Sequence, residues 1–448
     1  MSSVAILDRL VAAGMSEAAA QQSAALLERA GGGIEQDGSR EVHHWFVPGR
    51  VEFLGKHTDY CGGRSLICAV ERGFHVTASP RRDRLVRITD VVSCERVEFP
   101  LDAGLTPTVG HWSNYPMTVA RRIANNFGRN RGAFVGADIA FASSLPAAAG
   151  LSSSSAMIVA TFLVLSKFND LPATDAYRDN IHSTEDLASY LGTVENGQSF
   201  GTLIGGRGVG TFGGSQDHTA ILCSRPGALV QYSFCPARFE RSVPLPADHV
   251  LLIGASGVIA EKTGAALIKF NRISQLPREI VRLWNAATMR EDATLADVLR
   301  AAGGVEPIRQ VLLRASHDMF TLEELVERLE QFTIEREQII PQVADALAAG
   351  DFVRVGTLVD RSQHNSERML HNQVEETIYL AWSARELGAV AASTFGAGFG
   401  GSVWALVPRD RLEPFTSTWT AIYGQRFTER ADRFATFVTG AGPAAMEL

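Results

Sequence analysis

The sequence has 448 residues, of which 46% are hydrophobic and 20% are charged, and its formal net charge is -7 at pH 7. A chain of this length and composition can bury one large core or two to three ordinary ones. The acidic balance argues against a nucleic-acid partner, because a phosphate backbone requires a basic protein surface.

The cysteines and the N-terminal segment indicate a cytoplasmic protein. The five cysteines are odd in number and show no CxxC spacing, which argues against a disulfide framework or a zinc site. The first residues, MSSVAILDRLVAAGMSEAAAQQ, predict an amphipathic helix and lack the long apolar run of a signal peptide or a membrane span. We therefore expect a soluble monomer or weak homo-oligomer with no membrane partner.

Strand-like runs dominate the first half of the chain. Residues 1–31 are predicted to be helical, and residues 42–99 alternate apolar runs with the Gly, Pro and Asp of hairpins and loops. Residues 114–129 have helical spacing, GADIAFASSLP predicts a strand, and AMIVATFLVLSKF predicts a buried helix. Residues 175–200 are predicted to be helical, and the runs TAILC, ALVQYSF and HVLLIGA are predicted as strands.

Helices dominate the second half. Residues 262–301 and 305–350 are mostly helical in pattern, whereas AVAASTF and SVWALVP near the end predict strands. This change in character predicts an α+β protein of two domains, residues 1–240 and residues 241–448.

A serine-rich turn, PAAAGLSSSSA at residues 146–156, lies between a predicted strand and the buried helix. The first turn of a helix offers unpaired N–H groups and the positive end of the helix dipole, which bind phosphate. An ordinary helix cap is the alternative, but a cap needs one serine, and this turn has four after a glycine. The segment favours phosphate binding.

A glycine-rich loop, GAGFGG at residues 396–401, fits the pattern GxGxxG. A dinucleotide-binding loop would precede a helix, whereas here the strand-like run SVWALV follows. We therefore reject dinucleotide binding, and two readings stay open: a tight turn between two elements or a backbone loop that closes over a ligand.

A polar turn, GRVEFLGKHTDYCGG at residues 49–63, packs Arg, Lys, His and Asp between glycines. Aspartate and histidine can hydrogen-bond the hydroxyl groups of a polyol in fixed directions. A polar hairpin loop is the alternative, but this density of donors and acceptors favours a binding site.

The three segments together resemble the galactokinase family of the GHMP kinases. The polar turn is similar to the family signature GRVNLIGEHTDYNGG, the serine-rich turn to PxGxGLSSSAA, and GAGFGG to the C-terminal glycine motif, in the family's order. The resemblance implies a two-domain α+β fold with an N-terminal domain like domain 2 of ribosomal protein S5. It also implies a ferredoxin-like C-terminal domain and an active site in the cleft between the two.

The resemblance implies a sugar 1-kinase that transfers the γ-phosphate of ATP to the anomeric hydroxyl of a monosaccharide, with galactose as the first choice. Asp217 in GSQDH stands where the family has the base of its GxxDQ motif, and Arg50 would lie beside it. Ser154 and Glu195 would hold Mg²⁺. The ATP site would comprise Gly150, Leu151, Ser152, Ser153, Ser154, Ser155 and Gly398. The sugar site would comprise Lys56, His57, Asp59, Gly214 and Phe270.

Four departures from the family pattern bear on the substrate. Lys56 replaces the signature's Glu, so it would contact either a substrate carboxylate or a neutral hydroxyl, or turn away; the retained HTDY segment favours a neutral sugar. Phe270 stands where the family has a tyrosine, and Ala148 replaces a phosphate-loop glycine. The glycine-rich span from Glu195 to Asp217 is long, and it either reshapes the sugar pocket or is a surface insertion.

Three other functions remain as alternatives. The same reaction could act on a hexuronic acid such as galacturonate or glucuronate, or on L-arabinose. A galactokinase-like sugar sensor would lack catalysis, but the complete serine run and Asp217 argue against it. A mevalonate-type or homoserine-type kinase would share the ATP motifs but not the HTDY segment.

Overall fold

The computed structural model describes residues 3–34, 40–128, 134–146, 149–259 and 264–448. Helices and strands are mixed along the chain, and the strands form two sheets. The α+β class predicted from the sequence is confirmed. Within the described residues, no helix combines the length and the apolar composition that crossing a bilayer requires.

The helices and strands are numbered in chain order. The helices are α1 (Ser3–Ala12), α2 (Glu17–Gly31), α3 (Asn114–Phe127), α4 (Ser153–Phe168), α5 (Asp175–Arg178), α6 (Thr184–Asn196), α7 (Gln216–Cys223), α8 (Gly264–Thr288), α9 (Leu295–Ala302), α10 (Val305–Arg314), α11 (Leu322–Ile334), α12 (Ile340–Ala349), α13 (Phe352–Arg368), α14 (Glu375–Glu386) and α15 (Leu412–Arg426). The strands are β1 (His43–Leu54), β2 (Arg64–Pro80), β3 (Leu85–Asp90), β4 (Glu95–Pro100), β5 (Ala137–Ser143), β6 (Ala228–Ser233), β7 (Arg238–Pro244), β8 (His249–Ala255), β9 (Ala391–Thr394), β10 (Ser402–Pro408), β11 (Ala435–Thr439) and β12 (Met446–Glu447).

The larger sheet carries the polar turn. Its order is β12-β1-β2-β5-β3-β4, with β6 and β7 attached through β2, and all of its pairs are antiparallel except β3 with β5. Strands β1 and β2 are long and adjacent, so the turn of residues 55–63 that joins them lies at one end of the sheet. Helix α4 packs against both strands and points its first residues to that same end.

The smaller sheet carries the glycine-rich loop. Its order is β11-β8-β10-β9, all antiparallel, and the loop of residues 395–401 joins β9 to β10. Helices α14 and α15 cover one face, with Trp419 fully buried there. The other face packs against the larger sheet, where the rings of Phe53 and Trp404 stack with centroids 3.9 Å apart.

The division at residues 240 and 241 stays a prediction. Strand β7 spans the predicted division and belongs to the larger sheet. Strand β12, near the C-terminus, pairs with β1 in that same sheet. We propose that the boundary lies in the link between Pro244 and His249, because β7 belongs to one sheet and β8 to the other.

One predicted strand is wrong. The run TAILC lies in helix α7, which begins at Gln216, and its apolar residues Ala220, Ile221 and Leu222 are buried. A short apolar run does not distinguish a strand from a buried helix, because both hide every side chain. The difference matters because a helix starting at Gln216 places Asp217 in its first turn.

Candidate active site

The ends of several elements line one cavity that is open to solvent and has an empty volume of about 470 Å³, part of which is open solvent. The polar turn, the start of α7, the glycine-rich loop and α8 all contribute to it. The lining residues are Arg50, Glu52, His57, Asp59, Tyr60, Glu195, Gly213, Gly214, Gln216, Asp217, Phe270, Gly396 and Ala397.

Asp217 and Arg50 form an ion pair in this cavity. Arg50 Nε donates to Asp217 Oδ1 at 2.6 Å, and Arg50 Nη1 donates to the carbonyl of Gly150 at 2.6 Å. The arginine side chain is buried, whereas that of Asp217 is 19% exposed. The pair therefore holds a carboxylate in a fixed orientation at the surface of the cavity.

The serine-rich turn lies directly beside this ion pair. Ser152 precedes α4 in the left-handed conformation, with φ 60°, and its hydroxyl donates to Asp217 Oδ2. Ser153 is exposed and Ser154 is half-buried at the start of the helix. The N-terminus of α4 and the Asp217 carboxylate therefore meet at one place. Ala148, the altered residue of the phosphate loop, lies outside the described residues.

Glu195 closes the cavity beside the same turn. Ser155 Oγ donates to its Oε2 at 2.9 Å, Thr211 Oγ1 donates to its Oε1 at 3.3 Å, and His218 Nε2 lies 3.5 Å from Oε2. Ser155, the residue that the family pattern replaces with alanine, therefore contacts Glu195. The hydroxyl and carboxylate oxygens of Ser154, Ser155 and Glu195 are the donor type that Mg²⁺ prefers.

His57 and Asp59 line the cavity, and their contacts with a sugar stay a prediction. His57 Nε2 donates to the carbonyl of Ala397 at 3.1 Å, which leaves Nδ1 to accept from the Tyr60 hydroxyl at 2.9 Å. Asp59 Oδ2 accepts from the N–H of Gln216 at 3.1 Å. Gly214 also lines the cavity, and a Cβ there would lie 2.4 Å from Asp59 Oδ2, so only glycine fits.

The glycine-rich loop connects the two sheets around the cavity. Ser402 Oγ donates to the carbonyl of Ala149 at 2.6 Å, which joins the loop to the serine-rich turn. Gly398 does not line the cavity. A Cβ on Gly398 would lie 2.3 Å from the carbonyl oxygen of Asn372, so a close packing contact explains this glycine. Its contact with ATP stays a prediction.

Phe270 and the end of the glycine-rich span form the remaining wall. The Phe270 ring lies 5.4 Å from the ring of His57. The span is held at both sides: Asn271 Oδ1 accepts from the N–H of Phe212 at 3.1 Å, and Asn126 Nδ2 donates to the carbonyl of Ile204 at 3.1 Å. Because Gly213 and Gly214 line the cavity, the span contributes to its shape.

Lys56 is not among the residues that line the cavity, and its predicted contact with the substrate stays a prediction. Its side chain is 2% exposed, and Nζ donates to Ser393 Oγ at 2.5 Å and to Gln363 Oε1 at 3.2 Å. Burial lowers the pKa of Lys56, and the nearby carboxylates of Glu335 and Glu52 oppose that shift. Lys56 thus points to α13 and to β9 of the smaller sheet, and the nearby buried carboxylate of Glu335 compensates its charge.

Glu52 and Gln216 are among the cavity residues that the sequence analysis did not name as site residues. Glu52 is 4% exposed, and its Oε2 accepts from Gln216 Nε2 at 2.8 Å. The position of Glu52 in the sequence could have indicated its place in the cavity. Glu52 stands where the signature has Asn, and it follows Arg50 by two residues on a strand, so both side chains lie on the same face. Burial raises the pKa of Glu52 to about 8, against the lowering effect of Arg50 and Lys56.

Asp59 gives a pH-dependent prediction. Burial raises its pKa to about 6, against the lowering effect of the Gln216 N–H, and the charge of Asp217 adds to the rise. The native protein thus keeps a proton that the unfolded chain loses near about pH 4, so this stabilisation is present at low pH and lost as the pH rises.

We expect the free energy of unfolding of the wild type, relative to Asp59→Asn, to fall by about 3 kcal/mol between about pH 3.5 and pH 6.5. Urea denaturation of both proteins at each pH measures this difference. A difference that stays constant across the range would contradict the raised pKa of Asp59.

Three family models match the chain in the order of the sequence. They are the galactokinase galactose-binding signature over residues 35–80, the GHMP kinases N terminal domain over residues 114–206, and the GHMP kinases C terminal over residues 343–424. The first covers the polar turn, the second the serine-rich turn and the third the glycine-rich loop.

Curated relatives and solved structures agree with these matches. A galactokinase of Chloroflexus aggregans is 29% identical over 389 residues, covering 85% of this chain and 87% of the relative. A galactokinase of Actinobacillus pleuropneumoniae is 25% identical over 374 residues, covering 82% of this chain and 86% of the relative. The crystal structure of Lactococcus lactis galactokinase complexed with galactose has a TM-score of 0.74 at 21% identity, covering 95% of this chain and all of that one. The crystal structure of L. major mevalonate kinase in complex with R-mevalonate has a TM-score of 0.52 at 14% identity, covering 91% of this chain and 98% of that one.

The two sheets, the serine-rich turn at a helix start and the shared cavity define a kinase of the GHMP superfamily, an enzyme with ATP as its co-substrate. Within that superfamily the chain belongs to the galactokinase family, because the galactose-binding signature and relatives over more than four-fifths of its length agree. The family predicted from the three motifs is confirmed.

Proposed function

We propose that this protein transfers the γ-phosphoryl group of ATP to the anomeric hydroxyl of galactose, which yields a sugar 1-phosphate and ADP. The observation that carries the proposal is the Asp217 carboxylate, which bonds both Arg50 and Ser152 where the start of α4 meets the polar cavity. The matching galactose-binding signature supports galactose as the sugar.

Asp217 is the proposed base. Its carboxylate would accept the proton of the anomeric hydroxyl as that oxygen attacks the γ-phosphorus. The guanidinium of Arg50 orients the carboxylate and offsets the negative charge that develops on the phosphoryl oxygens. His57, Asp59 and Gly214 position the sugar, and Phe270 covers it. Positioning supplies most of the catalysis in a reaction of this kind.

The serine-rich turn is the proposed phosphate site. The unpaired N–H groups of α4, together with Gly150, Leu151 and the hydroxyls of residues 152–155, would hold the ATP phosphates. Ser154 and Glu195 would hold Mg²⁺, which neutralises phosphate charge when bound. Ser155, which bonds Glu195, sets the orientation of that carboxylate. Gly398 would shape the loop over the nucleotide.

The protein's environment is part of the proposal. We propose a cytoplasmic monomer or weak homo-oligomer that has no nucleic-acid or membrane partner. Five free cysteines, two of them buried, and a net charge of -7 support a reducing compartment and a small-molecule substrate.

A sugar panel tests the proposal. ADP release is measured with galactose, glucose, galacturonate, glucuronate and L-arabinose, and the product is identified by the phosphorus coupling of its anomeric proton. We expect the highest kcat/KM with galactose and a 1-phosphate product. ADP release with none of these sugars would leave the sensor alternative standing and overturn the proposed function.

A further inference from the structure

Glu52 lies in the wall of the cavity, and no step of the proposed reaction uses it. It follows Arg50 by two positions on β1, so both side chains project from the same face of the strand. Val51 and Phe53 project to the opposite face and are buried in the hydrophobic core. Strand geometry therefore places Glu52 on the same side of β1 as Arg50, and both residues line the cavity.

One carboxylate oxygen of Glu52 is held in place and the other has no hydrogen-bond partner. Gln216 Nε2 donates to Oε2 at 2.8 Å, and Gln216 is itself fixed because its Oε1 accepts from Ser65 Oγ at 3.1 Å. Among the contacts of the described residues, the buried Oε1 of Glu52 bonds nothing. Buried polar atoms are almost always paired, so an unpaired one beside a cavity points to a partner on the ligand.

The charges around the cavity disfavour an anionic sugar. Asp59, Glu195 and Asp217 line it, and the cation in the described lining, Arg50, is already paired with Asp217. Like charges that face each other across a binding site are costly, so a substrate carboxylate would be repelled.

We propose that Glu52 determines substrate specificity, because its free oxygen Oε1 forms a hydrogen bond with one hydroxyl group of a neutral sugar. An ionised carboxylate accepts from a hydroxyl and a protonated one donates to it, so the bond forms in either state. The inference rests on the proposed function and narrows the substrate to neutral sugars, which excludes hexuronic acids. Glu52 departs from the signature, which has Asn at this position.

The experiment compares wild type and Glu52→Gln on galactose and its 2-, 3-, 4- and 6-deoxy derivatives. In the wild type, kcat/KM should be about 10- to 100-fold lower than with galactose for each deoxy sugar that lacks a hydroxyl bonded to a charged group. In Glu52→Gln, the loss at one position should shrink to about threefold or less, while the losses at the other positions stay. Glu98→Gln, which alters a surface ion pair with Arg87, should leave every ratio unchanged.

Two further readouts separate the outcomes. Wild type should use galacturonate at least about 100-fold less efficiently than galactose, and this comparison requires no variant to fold. If Glu52→Gln unfolds, the deoxy series is measured with Glu52→Asn, which carries the signature residue. Calorimetry of sugar binding checks, without turnover, whether the loss at one position becomes smaller.

The proposal on Glu52 fails separately from the proposed function. A wild type that phosphorylates no sugar overturns the function itself. A wild type that is active on galactose, with every deoxy penalty retained in the Glu52 variants, overturns the role of Glu52 alone. Equal use of galactose and galacturonate by the wild type overturns the exclusion of anionic sugars.

Discussion

Replacing Asp217 by asparagine is expected to lower kcat by about 10²- to 10⁴-fold, with a much smaller change in KM for the sugar. The amide keeps the size of the side chain and one oxygen that can accept from Arg50, so the cavity keeps its shape. It cannot accept the proton of the anomeric hydroxyl, and the nucleophile then attacks without a base. Steady-state ADP release with galactose measures both constants.

The control for Asp217→Asn is the same substitution at Asp83. That aspartate also pairs with an arginine, Arg81 Nε at 2.7 Å, but it lies on an exposed turn between β2 and β3. We expect Asp83→Asn to keep kcat within about twofold, because exposed ion pairs contribute little. An Asp217→Asn variant that keeps more than about a tenth of the wild-type kcat would contradict the proposed base.

Replacing Lys56 by methionine is expected to lower the free energy of unfolding by about 3–5 kcal/mol. Lys56 is buried beside Glu335, which is fully buried and lies on the π-helical segment Glu335–Ile339 between α11 and α12. Glu335 Oε1 accepts from the N–H of Gly55 at 3.0 Å, and its Oε2 accepts from Ser362 Oγ at 2.8 Å. Removing the ammonium leaves this carboxylate buried without a compensating charge. Chemical denaturation measures the loss.

Lys56→Glu should be more destabilising than Lys56→Met, although it restores the signature residue. The new carboxylate would face Glu335 and Glu52, both buried. Adding Glu335→Gln to Lys56→Met should recover most of the lost stability, because the amide oxygen can still accept from Gly55 and no charge remains unpaired.

The control for the Lys56 variants is Lys167→Met. Lys167 pairs with Glu447 at 3.2 Å on the surface, so its loss should cost less than about 1 kcal/mol. If Lys56→Met costs no more than this control, or if Glu335→Gln adds to the loss rather than reversing it, the two buried charges do not compensate each other.

The three motifs predicted the parts of the site that depend on short stretches of chain. Gly150 and the serines belong to one turn, and His57 and Asp59 to another, so their spacing in the sequence already places them together. The meeting of Asp217 with Arg50 was predicted only through the family resemblance, because the two residues lie in segments that pattern alone does not bring together. The structure brings them within 2.6 Å.

Local patterns and motifs kept in order were enough to predict the fold class, the family and the segments that surround the cavity. The side chains that line the cavity became known from the folded chain. Lys56 lies outside the cavity, where Glu335, almost 280 residues away in sequence, compensates its charge. Glu52 lies in the cavity wall, where Gln216 binds one of its carboxylate oxygens. Such choices depend on charges and hydrogen-bond partners supplied by distant segments, which a local pattern does not contain.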